Sequence, residues 1–300
     1  MTLINISAED GKPGDAARAA SAEGPVIVMI HGFKYAPGHP HSCPHDLLLS
    51  LDPRTGAERV VSWPRRLGFG RPGDAGTAVA FGWNGRGTLG QAYLRAGVAG
   101  ERLAAEIAAL KEAQPERPVH IFAHSLGARV ALSALGHLNR GAVDRMILLT
   151  GAEFRDRAAE ALETPAGRSA EVFNVTSREN DLFDLMAERV LSPLNIWRRT
   201  LGHGLAEERP NWVDIEIDHP GTAAALRDFG YPIAPPAQRI CHWSVYLRPG
   251  LFPFYQALLR RPEQLPLRVL RAALPGAQQR RWTRLLAPPA PLPFARKTPS

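Results

Sequence analysis

The chain has 300 residues, 45% of them apolar and 22% charged, enough for one large domain or two small ones and incompatible with a wholly disordered or fibrous protein. No run of 18 apolar residues occurs, so no membrane-spanning helix is expected. The formal charge of +7 is uneven: residues 240–300 carry ten Arg or Lys against Glu263 alone, and the rest of the chain is slightly acidic.

In chain order, Thr2–Ile6 reads as a first strand, followed by a polar loop around Pro13. Val26–Ile30 (VIVMI) is a continuous apolar run of the kind buried on both faces of a sheet. A long segment rich in Pro, Gly and His, residues 34–76, leads to the strand Thr77–Trp83. Leu89–Ala113 reads as a helix with Leu94, Val98, Leu103, Ile107 and Leu110 on the core face, stopped by Pro115 and Pro118. The strand Val119–Ala123, the helix Leu126–Leu138, and the strands Arg145–Thr150 and Glu171–Thr176 follow. Residues 182–210 are apolar and basic and read as a lid-like insertion. Trp212–Ile217 alternates, which places it near an edge. Strands alternating with helices imply an α/β domain with a mainly parallel sheet of about six strands, covered on both faces. We expect that domain to occupy 1–262, including the insertions 34–76 and 182–210, with 263–300 as a basic, Pro-rich extension.

Cys43 and Cys241 are too few for a disulfide scaffold, and the N-terminal stretch has no basic region followed by an apolar core. A reduced, cytoplasmic setting is the expectation. Nothing resembles a nucleic-acid-binding module.

The sharpest chemical signal is Ala123-His124-Ser125-Leu126-Gly127, set between the strand VHIFA and the helix ARVALSAL. A serine between small residues at a strand–turn–helix junction makes a nucleophile elbow, which aims Oγ out of the carboxyl edge of the sheet. The start of the following helix adds positive partial charge there, and Leu126 N–H can face a developing oxyanion. A second signal, His31-Gly32-Phe33, follows the strand VIVMI directly.

With these motifs, and with Phe81-Gly82-Trp83-Asn84-Gly85-Arg86-Gly87 closing the upstream strand, the chain resembles the α/β-hydrolase superfamily over roughly residues 24–255. It departs from the usual pattern in starting the elbow with Ala123 in place of Gly. The resemblance implies Ser125 as nucleophile and His31-Gly32-Phe33 as the oxyanion loop, with Phe33 N–H joining Leu126 N–H around the oxyanion. It also implies an acid in the loop after EVFNVT and a histidine further on. Asp181 best matches the expected acid, with Asp184 and Glu179 as competitors. His242, before LFPFYQALL, is the favoured base over His219, with His203 less favoured and His124 shaping the elbow. The implied activity is that of a serine hydrolase of carboxylic esters: Ser125 attacks the carbonyl of a small ester or acyl substrate, and water releases the acyl group. It needs no cofactor.

Other readings are kept open. His39, His41, Cys43, His45 and Asp46 alternate within a short loop but match no established zinc spacing, so no metal is expected, and polar lining of the substrate entrance is the favoured role. An acyltransferase keeps the same chemistry with another acceptor. A catalytically silent fold that binds membrane or protein through the basic C-terminal end is the reading of a different class.

Overall fold

The computed structural model describes residues 2–10, 14–19, 23–54, 60–71, 75–276 and 278–286. The strands are β1 (Thr2–Ser7), β2 (Val26–Ile30), β3 (Thr77–Gly82), β4 (Val119–His124), β5 (Arg145–Leu149), β6 (Glu171–Thr176) and β7 (Trp212–Glu216). They form one seven-stranded sheet in the order β1-β3-β2-β4-β5-β6-β7, parallel throughout. The alternating strand Trp212–Ile217 does lie at an edge. The helices are α1 (Asp15–Ala19), α2 (Trp63–Arg66), α3 (Leu89–Ala113), α4 (Leu126–Leu135), α5 (Arg155–Leu162), α6 (Asp181–Leu191), α7 (Pro220–Asp228), α8 (Ser244–Leu247), α9 (Leu251–Arg260) and α10 (Leu267–Ala273). Among the described residues no helix is long and apolar enough to cross a membrane.

The apolar strands reflect two cores. Val26, Val28 and Ile30 face α3 and α4, whereas Ile27 and Met29 face a second layer built from Trp63, Phe69 and α9. A strand sandwiched this way has no polar face, hence the run VIVMI. In α9, Leu251, Phe254, Tyr255 and Leu258 are all fully buried. Each such side chain contributes about 1.5–3 kcal/mol by leaving water.

The buried face of α3 differs from expectation. Leu103, Ile107 and Leu110 are buried, but Leu94 and Val98 are 69% and 65% exposed. The N-terminal half instead turns Ala92, Ala96, Ala99 and Gly100 toward α4. Small residues win because the helices approach closely: a Cβ on Gly100 would lie 2.6 Å from Ser133 Cβ and 2.8 Å from Val130 O. The start of α3 is fixed by Thr88, whose hydroxyl accepts Gln91 N–H while the Gln91 side chain accepts Thr88 N–H.

The segment 34–76 contributes to the core as well as to the rim. Leu48, Leu49, Trp63, Leu67 and Phe69 are buried, and Trp63 meets Phe122 and Tyr246 edge to face. At the other end, α10 packs beside β7, burying Leu267 and Leu270. Residues 278–286 then return to α6: Arg281 pairs with Glu188, and Trp282 N–H donates to Asp181 Oδ2 at 2.6 Å. The Pro-rich end 287–300 lies outside the described residues. Residues 231–243 link α7 to α8 without helix or strand, and Pro232, Pro235 and Gln238 are exposed.

Candidate active site

Parallel strands share a carboxyl edge, and this edge gathers the loops after β2, β4, β5 and β6. Ser125 stands where β4 ends and α4 begins, at φ 55° and ψ −124°. A non-glycine residue there stores about 1–3 kcal/mol of strain. Hydrogen bonds hold it: Ser125 N–H donates to Leu149 O at 3.0 Å, and Ser125 O accepts Ala128 and Ala152 N–H, each at 3.0 Å. Gly127 is required by sterics, since a Cβ would come within 2.6 Å of Ile30 O and 2.7 Å of His31 O. Gly32 is required likewise, since a Cβ would come within 2.8 Å of Ser125 Cβ. The loop after β2 therefore runs directly against the nucleophile candidate. Leu126, first in α4, has no intrahelical acceptor for its N–H.

His31 does not line the cavity beside Ser125. It is fully buried, and its Nε2 accepts Trp83 N–H at 3.0 Å. That leaves Nδ1 as the donor to Gly32 O, at 2.8 Å. Burial, with smaller contributions from His45 and His124, lowers its pKa to about 3, so the ring is neutral and locked in one tautomer. Trp83 stacks on it and donates Nε1–H to His31 O at 3.0 Å. His31 thus braces the loop that presents Gly32 and Phe33.

A cavity of about 420 Å³ opens over Ser125, with Gly32, Phe33, His124, Asn180, Phe183 and His242 among its walls. Ser125 and His242 share it, although 116 residues of chain lie between them. His219 lies elsewhere, capping α7 by accepting Gly221 N–H at 3.0 Å. His203 faces Glu188 at 3.6 Å.

The partner of His242 is a correction to the sequence reading. Its Nδ1 meets Asn180 Oδ1 at 2.6 Å, so the ring donates to an amide oxygen. Asp181 is the first residue of α6 and turns away, to Arg178 Nη1 at 3.2 Å and to Trp282 N–H. The 3-10 turn Arg178–Asn180 decides this: it points residue 180 at the imidazole and leaves residue 181 on the far side. The other acids are also placed. Asp184 borders the cavity and accepts Thr200 Oγ1–H at 3.1 Å, and burial raises its pKa to about 6. Glu179 pairs with Arg248 at 3.1 Å and accepts Gln238 N–H at 3.0 Å.

The loop carrying His242 is fastened at several points. His242 O accepts from His124 Nε2 at 3.1 Å and from Thr150 Oγ1 at 3.4 Å. Cys241 N–H donates to Glu179 O at 2.8 Å. Phe183 stacks on the imidazole with centroids 4.9 Å apart. Desolvation and the neighbouring His124 hold the His242 pKa well below its usual value, and burial lowers that of His124 to about 4. Sequence reasoning missed Asn180 and Thr150. The one available signal was that Asn180 shares the loop with Asp181.

Cys43 and Cys241 are buried and free. The histidines of the 39–46 loop are spent locally: His39 Nδ1 bonds Ser42 at 2.9 Å, and His45 Nε2 bonds Ala80 O at 3.1 Å. Among the described residues no group of three or more His, Cys, Asp or Glu could hold a metal ion.

A family model described as alpha/beta hydrolase of unknown function (DUF900) matches residues 16–152, the stretch containing the oxyanion-loop candidate and Ser125. Among solved structures the chain is similar to Pyrococcus horikoshii acylaminoacyl peptidase (orthorhombic crystal form), at 11% identity and a TM-score of 0.34. That similarity covers 88% of this chain but only 40% of the peptidase chain, so this chain spans less than half of its length. No curated protein matches the chain.

Proposed function

We propose that this chain, whose residues 16–152 match an alpha/beta hydrolase family model, is a serine hydrolase acting on carboxylic esters, with Ser125 as nucleophile, His242 as base and Asn180 orienting the base. The observation that carries this reading is the junction of Ser125 and His242 in one cavity, with the imidazole held at Nδ1 by Asn180 Oδ1 at 2.6 Å. With Nδ1 donating, Nε2 is the free basic nitrogen.

In this mechanism His242 Nε2 takes the hydroxyl proton as Ser125 Oγ bonds to the ester carbonyl carbon. Negative charge collects on the carbonyl oxygen, which accepts from Phe33 and Leu126 N–H, and each such donor supplies about 3 kcal/mol of transition-state stabilisation. The imidazolium returns its proton to the departing alcohol. Water, deprotonated by the same nitrogen, then cleaves the acyl-serine bond. An amide beside His242 brings no negative charge to the imidazolium, and desolvation disfavours that cation further. A weak base suits an electrophilic carbonyl, which favours esters over peptides.

The test is covalent labelling by a fluorophosphonate, together with hydrolysis of p-nitrophenyl esters of increasing acyl length. The wild-type protein is expected to label and turn over, and Ser125→Ala to do neither while keeping its circular dichroism spectrum. Equal labelling of both proteins, or a folded wild type inert to every ester, rejects the assignment.

A further inference from the structure

The segment after β6 separates charge from apolar surface in an unusual way. The three acids of α6, Asp181, Asp184 and Glu188, are all buried, at 2%, 4% and 1% exposure. Arg178 and Arg281 face them from inside the molecule. What the segment turns outward is apolar: Met186, Val190, Leu194, Ile196 and Trp197 are between 51% and 100% exposed, with Leu194 fully so at the turn after α6. The exposed charged side chain among them is Arg189, a cation. Scattered apolar residues on a surface need no explanation, but a contiguous run of large ones does.

This surface continues into the cavity. Met186 and Val190 are half-exposed, and both also line the space above Ser125. Lys34, exposed and lining the same cavity, adds a second cation. An apolar face carrying a tryptophan, with cations beside it and the acids of its own helix turned inward, matches the boundary of an anionic bilayer, where aliphatic side chains enter the acyl region and the indole sits at the headgroups.

We propose that residues 186–197 form an interfacial docking surface that seats the protein on an anionic lipid surface, with the mouth of the Ser125 cavity turned toward the acyl chains. Docking itself is independent of the esterase reading; delivery of a lipid acyl ester to Ser125 rests on that reading.

The experiment is co-sedimentation of the full chain with phosphatidylcholine vesicles, with and without phosphatidylglycerol, for wild type and for the double variant Leu194→Asp, Trp197→Asp. Neither residue lines the cavity, so the variant should hydrolyse a short soluble ester as wild type does and keep its melting temperature. The expected result is preferential binding of wild type to the anionic vesicles, weakened at least about tenfold in the variant. Equal binding by the two proteins, or no binding by wild type, overturns the proposal. So does binding that persists in the variant and is lost when the chain is cut to 1–286, which assigns it to the basic end. Sedimentation velocity covers the remaining occupant: a wild-type dimer that the variant splits, without vesicle binding, assigns the surface to a second copy and overturns the lipid. Vesicle binding by a protein inert to every ester leaves the docking surface standing and removes only the hydrolase reading.

Discussion

At the scale of single residues, the site turns on which of two neighbours faces the imidazole. Asn180 and Asp181 are adjacent in sequence, and a carboxylate is the usual expectation for the group that steadies a catalytic histidine. The backbone chose otherwise, because the 3-10 turn ends at 180 and the helix begins at 181. A sequence read for charge has no access to that register, which is why the meeting of Ser125 and His242 at one cavity was legible and the Asn180 contact to the imidazole was not. The consequence is measurable. In the wild type His242 stays neutral well below its usual titration range, so the acid limb of kcat/KM should lie below pH 6.5. Asn180→Asp places a carboxylate against Nδ1, which stabilises the imidazolium and raises the pKa. The limb should then move up by about one pH unit or more. A pH profile of ester hydrolysis that is unchanged by the substitution would show that the two groups do not couple.

At the scale of elements, central strands could be read from the sequence because a strand covered on both faces is a short apolar run, as Val26–Ile30 and Met146–Leu149 are, and the edge strand Trp212–Glu216 by its alternation. The face of α3 could not be. Leu94 and Val98 have the spacing of a core stripe, but the neighbour α4 comes too close for large side chains, and alanine and glycine were the residues to follow. The loops at the carboxyl edge are joined by buried charge, which hydrophobic patterning also leaves unseen. Arg248 precedes α9, is 6% exposed, and bonds Glu179, Asp218 and Ile217 O. Asp218 in turn accepts Ser177 Oγ–H and Arg178 N–H, each at 2.6 Å. Breaking one member strands the others without water. Arg248→Ala is expected to cost about 3–5 kcal/mol, read as a fall in the urea midpoint at pH 7, with Arg248→Lys losing less. An alanine variant as stable as wild type would mean that the carboxylates find water or other cations.

For the molecule as a whole, buried histidines set the response to acid. His31 and His120 have pKa values lowered to about 3 and His124 to about 4, all chiefly by burial. In the unfolded chain each takes a proton near pH 6.5. Folded values below unfolded ones mean that their contribution is intact above pH 6.5 and is lost as pH falls from there to about 4 and then 3. Each adds a slope of up to about 1.4 kcal/mol per pH unit. Asp184 works in the opposite sense, gaining stability as pH falls from about 6 toward 3.8, and burial raises Asp181, Asp214 and Glu216 as well, but His203 and His242, also lowered by burial, add to the histidine side. Urea midpoints taken between pH 7 and pH 4.5 should therefore fall steadily, and a flat series would indicate that the rings are hydrated.

The crossing at residues 231–243, free of helix and strand, has a consequence for how the protein could be taken apart. The chain up to Pro235 holds the sheet, Ser125 and Asn180, and the chain from Pro236 holds His242 together with α9, whose buried side chains fit the sheet's second face. Arg145 on β5 reaches across to Leu258 O at 2.8 Å and Pro262 O at 3.2 Å, so the later piece has its own anchorage to the sheet. A chain severed between Pro235 and Pro236 should reassemble from two separately expressed halves, neither reacting with fluorophosphonate alone and the mixture recovering the label. Such a split pair would report, through chemistry at a single serine, whether its two carriers have met.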